Sequence, residues 1–258
     1  MKLVVCIKQT FDTEARIILR EDGRIDTAQV QYILNPYDEY AVEEAIRLKE
    51  TWGGEVLAVT CSSGDASKAI QQCLAMGVEE GVVISDPALG QGDGHMTASA
   101  LRAFLAERDF DLILCGRMAV DDGASEVPSR LAELLGVPQV NAVSKLKVED
   151  RKVRAERDID GGSASIKVPL PCVVSVQKGI NTPRYPSMRH ILRAKKMKIR
   201  TVGLSELSLS PEESTPLVEV MEVTLPAKRE KGRIFDGPLE GAVDQVVDVL
   251  KEKTKICQ

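Results

Sequence analysis

Leu3-Val-Val-Cys-Ile7 is an unbroken apolar run, the pattern of a strand buried on both faces of a parallel sheet. Similar runs return at Glu55–Thr60, Gly81–Ser85 and Asp111–Cys115. Between them lie segments with helical periodicity: Asp65–Met76, stopped by Gly77; about 94–106; and Glu126–Leu135, stopped by Gly136. Another helix opens at Asn35-Pro36, where Asn suits the cap, Pro the first helical position, and Asp38 and Glu39 the positive end of the dipole. Its narrow apolar face is Ala41, Ala45 and Leu48, and Glu43 and Arg47 are spaced as an i,i+4 pair. Strands alternating with short helices predict parallel βαβ crossovers, and hence an α/β, doubly wound, mainly parallel sheet.

Three stretches depart from this alternation. Arg16–Leu19 and Arg24–Asp26 flank Glu-Asp-Gly and predict a small hairpin ahead of the first helix. Ser144–Val176 breaks into short alternating segments around Glu149-Asp150 and Gly161-Gly162, which predict antiparallel hairpin additions. After Lys198 the chain turns linker-like, with four serines, two prolines and Glu212-Glu213 between Ser205 and Pro216. A last helix aligns Leu239, Val243, Val246, Val247 and Leu250 on one stripe, for packing on its own core or on another chain. The division is residues 1–200 as an α/β domain and 201–258 as a linker and C-terminal arm.

Composition narrows the class. The 258 residues are 43% hydrophobic and 28% charged, ordinary for a soluble globular chain. No apolar run reaches the roughly 18 residues of a membrane span, and the strand-like N-terminus is no signal peptide. Six scattered cysteines without a Cys-x-x-Cys pair, with only His95 and His190 to assist, argue against a metal site. They read as small buried hydrophobes of a reducing compartment, the cytoplasm.

Ligands of an open doubly wound sheet bind beyond the carboxyl ends of its strands. Four segments fall there: Cys6-Ile-Lys8, Thr60-Cys-Ser-Ser63, Cys115-Gly-Arg117 and the loop Asp121–Val127. That loop precedes a helix, so it reads equally as a phosphate cradle and as an ordinary connection. No G-x-G-x-x-G and no G-x-x-x-x-G-K-[ST] is present, which argues against a standard dinucleotide or P-loop site. No nucleophile–base or general acid–base set is visible, so no catalytic residue is assigned.

One segment opposes the overall charge of -5: Asn181-Thr-Pro-Arg-Tyr-Pro-Ser-Met-Arg-His-Ile-Leu-Arg-Ala-Lys-Lys196. Pro183 and Pro186 predict a presented loop, and Arg189, Arg193 and Lys196 share one helical face behind it. Nucleic acid is a poor match for these cations, because aromatic residues are only 3% of the chain and form no stacking platform.

This block resembles the signature and recognition loop of the electron transfer flavoprotein beta subunit. Asn35–Glu50, Ala75-Met-Gly77, Cys115–Asp122 and Arg157–Gly162 are similar to further blocks of that family, in family order. A nucleotide-binding module of the universal-stress type shares the βαβ pattern but explains neither Asn181–Lys196 nor the C-terminal helix. The resemblance implies a Rossmann-like, adenine-nucleotide-binding fold and an electron carrier rather than an enzyme by itself. It implies AMP in this subunit, or a second FAD in the NADH-using, electron-bifurcating branch, which Asn35-Pro-Tyr and Arg184-Tyr-Pro-Ser resemble slightly more. Cofactor positions carried over are Cys6, Asn35, Cys61, Asp122, Ser125, Glu126 and Val127, to which the strand ends add Thr60, Cys115 and Gly116. The chain departs from the family at Glu126-Val127-Pro128, where a carboxylate stands beside the phosphate position and Pro128 removes a donor. Implied partners are a FAD-carrying alpha subunit, embraced by the C-terminal arm, and flavin dehydrogenases such as acyl-CoA dehydrogenases. The latter would dock on Arg184, Tyr185, Met188, Arg189, Arg193 and Lys196, with Met188 as the apolar anchor.

Overall fold

The structure is a computed structural model that describes residues 1–28, 30–227 and 231–253. Its elements run β1 (Lys2–Cys6), β2 (Gln9–Phe11), β3 (Tyr32–Leu34), α1 (Pro36–Trp52), β4 (Glu55–Ser62), α2 (Ser67–Met76), β5 (Glu80–Ser85), α3 (Gly94–Leu105) and β6 (Leu112–Gly116). They continue as α4 (Val127–Leu135), β7 (Gln139–Glu149), β8 (Lys152–Ile159), β9 (Gly162–Pro169), β10 (Cys172–Val176), α5 (Met188–Ala194), β11 (Arg200–Val202) and α6 (Leu239–Lys253). One nine-stranded sheet has the order β11-β5-β4-β1-β6-β10-β7-β8-β9. It is parallel from β11 to β7, and β8 and β9 extend it antiparallel.

Period-two alternation within the apolar strands builds both faces. Leu3 and Val5 of β1, Leu112 and Leu114 of β6, and Val174 of β10 point into one core with α1 and α2. Val4, Ile113 and Val173 point into the other with α3 and α4. Chain order reverses about β1, which lies between β4 and β6, so a crevice opens at the carboxyl ends of these three strands.

Several local expectations are corrected. The 16–26 hairpin shrinks to one bridge, Leu19 with Ile25, closed by Arg20 and Arg24. The ordered pairing nearby is instead β2 with β3, each three residues long and too short to show a period. Cys172–Val176 is no hairpin strand but a central, fully buried parallel one, as its largely apolar sequence, broken only by Ser175, would suit. The N-terminal end of β7 also pairs parallel with β10, and only its later part opens the antiparallel ribbon. On α1, Arg47 pairs with Glu44 at 3.5 Å, because Glu43 is engaged elsewhere. Asn35 precedes α1 but its side chain makes no capping bond.

Two compact units divide the chain: Met1–Glu222, which takes in β11 beyond residue 200, and 223–258. In the second, α6 carries the stripe Leu239, Val243, Val246, Val247 and Leu250, all exposed. Among the described residues no helix is long and apolar enough to cross a membrane.

Candidate functional site

The crevice at the strand ends is a cavity of about 380 Å³. Its floor is the end of β1 with Lys8, Cys61 of β4, and Cys115 to Met118, from the end of β6 onward. Asp38, on the first turn of α1, ties that floor together. One carboxylate oxygen accepts the N–H of Lys8 at 2.7 Å, the other the N–H of Gly116 at 3.1 Å. Burial pushes the Asp38 carboxyl up to about 7, against the opposing pull of those N–H groups, the Asn35 amide and the Lys8 charge. Glycine at 116 follows from this clamp: a Cβ there would come within 2.8 Å of the Tyr37 carbonyl carbon and overlap the Asp38 carboxylate.

Asn35 secures the next segment. Its Nδ2 donates to the Met118 carbonyl at 2.9 Å, and its Oδ1 accepts from the Val120 N–H at 3.2 Å. Both faces of the amide are thus used inside the protein, and only 1% of the residue is exposed. The residue lines the cavity and supports the 118–120 loop that walls it.

Beyond that loop, Lys8 Nζ reaches Asp121 at 2.9 Å and Asp122 at 2.8 Å. Burial works against the Asp122 charge, but the Lys8 ammonium and the Ala124 N–H outweigh it and hold the carboxyl below its ordinary range. Ser125 adopts φ 56°, a left-handed conformation that turns the chain into α4. The first-turn N–H groups of α4 have no partner within the helix. Glu126 does not cap them; its carboxylate is held by Arg130, Nε at 3.0 Å and Nη2 at 2.8 Å. Pro128 lies in the first turn, where a missing N–H costs the helix nothing. The Glu126-Val127-Pro128 departure therefore leaves the positive end of α4 open to an anion, with the carboxylate neutralised nearby.

The remaining walls are apolar or thiol-bearing. Burial pushes the Cys61 thiol up to about 12. The Cys115 thiol is raised by its hydrogen bond to Cys6 and by burial. The Cys61 and Cys115 thiols remain neutral and behave as soft walls. Of the ten cofactor residues expected, Cys6, Asn35, Cys61, Cys115, Gly116, Asp122, Ser125, Glu126 and Val127 line the cavity. Thr60 does not: it is buried, one position out of phase with Cys61, so strand alternation turns it to the opposite face. Missed were Asp38 and the stretch from Leu89 to Leu101, with Asp93 Oδ1 capping α3 at Met96. The other Asp93 oxygen accepts from the N–H groups of Leu217 and Val218, at 2.8 and 3.1 Å. A capping Asp before a helical run was the available signal.

The second feature is the segment Asn181–Lys196. Asn181 Nδ2 donates to the Tyr40 carbonyl at 3.0 Å and to Glu44 at 2.9 Å. Arg184 forks onto Glu43 and Glu50 of α1. Ser187 caps α5 through the His190 N–H at 3.3 Å. Ala194 is buried and Ile191 and Met197 pack on the core, while Tyr185 is 99% and Met188 71% exposed. Arg189, Arg193 and Lys196 are exposed, and among the described residues none of them forms an ion pair.

Comparison with known proteins settles what this arrangement belongs to. Residues 22–207 match the family model of the electron transfer flavoprotein domain. The electron transfer flavoprotein subunit beta of Bacillus subtilis is 39% identical over 257 residues, covering 99% of this chain and 100% of that protein. The chain belongs to the electron transfer flavoprotein family, with the beta subunits.

Two further relatives match over 90% or more of this chain. The mouse electron transfer flavoprotein subunit beta is 34% identical across 90% of this chain and 91% of its own length. The caffeyl-CoA reductase-Etf complex subunit CarD of Acetobacterium woodii is 34% identical across 98% of this chain and 99% of its own length. Electron transfer with flavin is thus the function of the electron transfer flavoprotein to which this chain contributes, together with a partner subunit. The 181–196 segment lies within the flavoprotein domain match, as does the lining of the strand-end crevice apart from Cys6, Ile7, Lys8 and Val218.

Proposed function

We propose that this chain binds an adenine mononucleotide in the strand-end crevice, pairs with a FAD-carrying alpha subunit, and helps pass electrons from flavin dehydrogenases, acyl-CoA dehydrogenases among them, to a downstream acceptor. The observation that carries the nucleotide reading is the cavity itself. At about 380 Å³ it lies near the lower end of the roughly 300–1,000 Å³ of ligand pockets, which suits AMP better than the far larger FAD. The donor set fits such a ligand. The first turn of α4 and the Ser125 hydroxyl receive the phosphate, Lys8 balances the Asp121–Asp122 turn beneath it, and Cys6, Cys61, Leu89 and Leu101 supply an apolar slot for the base. Flavin bound in the complex supplies the redox chemistry; this chain contributes position and docking.

Two surfaces serve the partners. The exposed stripe of α6 is the part of the C-terminal arm that grips the alpha subunit. Met188 and Tyr185, ringed by Arg189, Arg193 and Lys196, dock the dehydrogenase: the thioether fills an apolar pocket and the cations steer encounter with an acidic surface. All five cysteines among the described residues are free, which fits a reducing, cytoplasmic setting.

Nucleotide extraction from the intact heterodimer tests the reading. A single flavin accompanied by AMP is expected. Two flavins per heterodimer would overturn the mononucleotide assignment and select the electron-bifurcating one.

A further inference from the structure

Arg184 was expected among the steering cations, yet its guanidinium faces inward. Nε and Nη2 reach the two oxygens of Glu43 at 2.9 and 3.0 Å, while Nη1 and Nη2 reach those of Glu50 at 2.7 and 3.1 Å. The Arg184 backbone N–H adds a bond to Glu43 at 3.1 Å. Four of the roughly five guanidinium N–H donors are so engaged, in two forked pairs that only the planar group of arginine can make at once. Glu43 is only 4% exposed, so the fork reaches beneath the surface of α1.

We infer that Arg184 is a positioning residue that fixes the 182–196 segment on α1, and does not itself meet the docking partner. The inference rests on the docking reading above only for its consequence in electron transfer. Asn181 provides a second grip on the same helix through Tyr40 and Glu44, and Pro183 and Pro186 limit the backbone between the grips and α5. Held at both points, Tyr185 and Met188 project from a segment whose ordering entropy is already lost before a partner arrives. The division of labour follows from the ion pairs. Arg184 carries a raised pKa through its bonds to Glu50 and Glu43, and its charge is cancelled locally. Arg189, Arg193 and Lys196 keep their charge toward solvent.

The test uses the intact heterodimer carrying Arg184→Lys, Arg184→Gln, or Arg184→Gln with Glu43→Gln. The double variant avoids leaving Glu43 buried and unpaired, so its folding does not confound the result. Two quantities are read: amide hydrogen exchange in peptides covering 182–196, and the salt dependence of electron transfer from an acyl-CoA dehydrogenase. Faster exchange, by several-fold, is expected in all three variants, with slower transfer and an unchanged salt slope; lysine, which keeps the charge but not the fork, does not rescue. Normal exchange in Arg184→Lys overturns the inference, as does a normal rate in Arg184→Lys beside a weakened salt slope in Arg184→Gln, the signature of a steering cation. If Met188→Ala transfers electrons normally while Arg184→Lys loosens the segment, the docking reading falls and the positioning role stands.

Discussion

The N–H of Gly116 donates to the Asp38 carboxylate at 3.1 Å across 78 residues of sequence, and so locks the end of β6 to the first turn of α1. Because the acid fills the space above position 116, Gly116→Ala forces either Asp38 or the Tyr37 backbone to move. A loss of about 1–3 kcal/mol in unfolding free energy is expected, the usual cost of overpacking. Urea midpoints of the two proteins give the answer, and equal midpoints would contradict the tightness of this contact.

Asp38 also makes stability depend on pH. Its ordinary value is 3.8 and its folded value about 7, so the folded protein holds this proton more tightly than the unfolded chain. The sign follows: its contribution is fully present below pH 3.8 and is lost as pH rises toward 7. Three pH units correspond to about 4 kcal/mol as an upper figure. Asp38→Asn cannot ionise, and between pH 4 and 7 it should lose less stability than the parent; parallel profiles for the two would refute this.

Asn35→Ala removes both bonds to the 118–120 loop. Leaving the Met118 carbonyl and Val120 N–H without partners should cost about 1–3 kcal/mol and weaken nucleotide binding by releasing the cavity wall. Hydrogen exchange should rise at 118–125 before nucleotide is lost on dialysis. Loss of nucleotide with an unchanged loop would instead assign Asn35 a direct contact to the nucleotide.

Met188→Ala should slow electron transfer from the dehydrogenase while nucleotide content and heterodimer assembly stay normal. Reversing the charge at Arg193 should chiefly lower the association rate, and only at low ionic strength. Normal rates in both variants across a range of salt would remove the docking role.

For the C-terminal helix, replacing Val243 and Val247 with Ser should weaken pairing with the alpha subunit, since both lie on the exposed stripe of α6. Size-exclusion chromatography of the mixed subunits reads this directly. An undiminished heterodimer peak would place the grip elsewhere.

Local pattern determined the alternation of strands and helices, because apolar runs, glycine stops and helical spacing act over a few residues: Leu3–Ile7, Gly77 and Gly136 all fall where the structure needs them. The crevice was legible for the same reason. A doubly wound sheet puts its sites at strand ends, and Cys6, Cys61 and Cys115 are the strand-end residues that line it. Position alone did not separate Thr60 from Cys61; the phase of strand alternation did, and that depends on which core each face meets. Nor did the chain order show that Cys172–Val176 would slot between β6 and β7 as a parallel strand, since the hairpin residues before it set the opposite expectation. Side-chain partners were the least accessible. Glu43 has Arg47 one turn away on its own helix, yet bonds Arg184 from 141 residues further along. Asn35 and Asp38 carry every mark of a helix start, yet they hold other strands and loops together. A short-range rule names the groups able to bond. Only the tertiary structure, by bringing a buried, geometrically better partner within 3 Å, decides which bond each one makes.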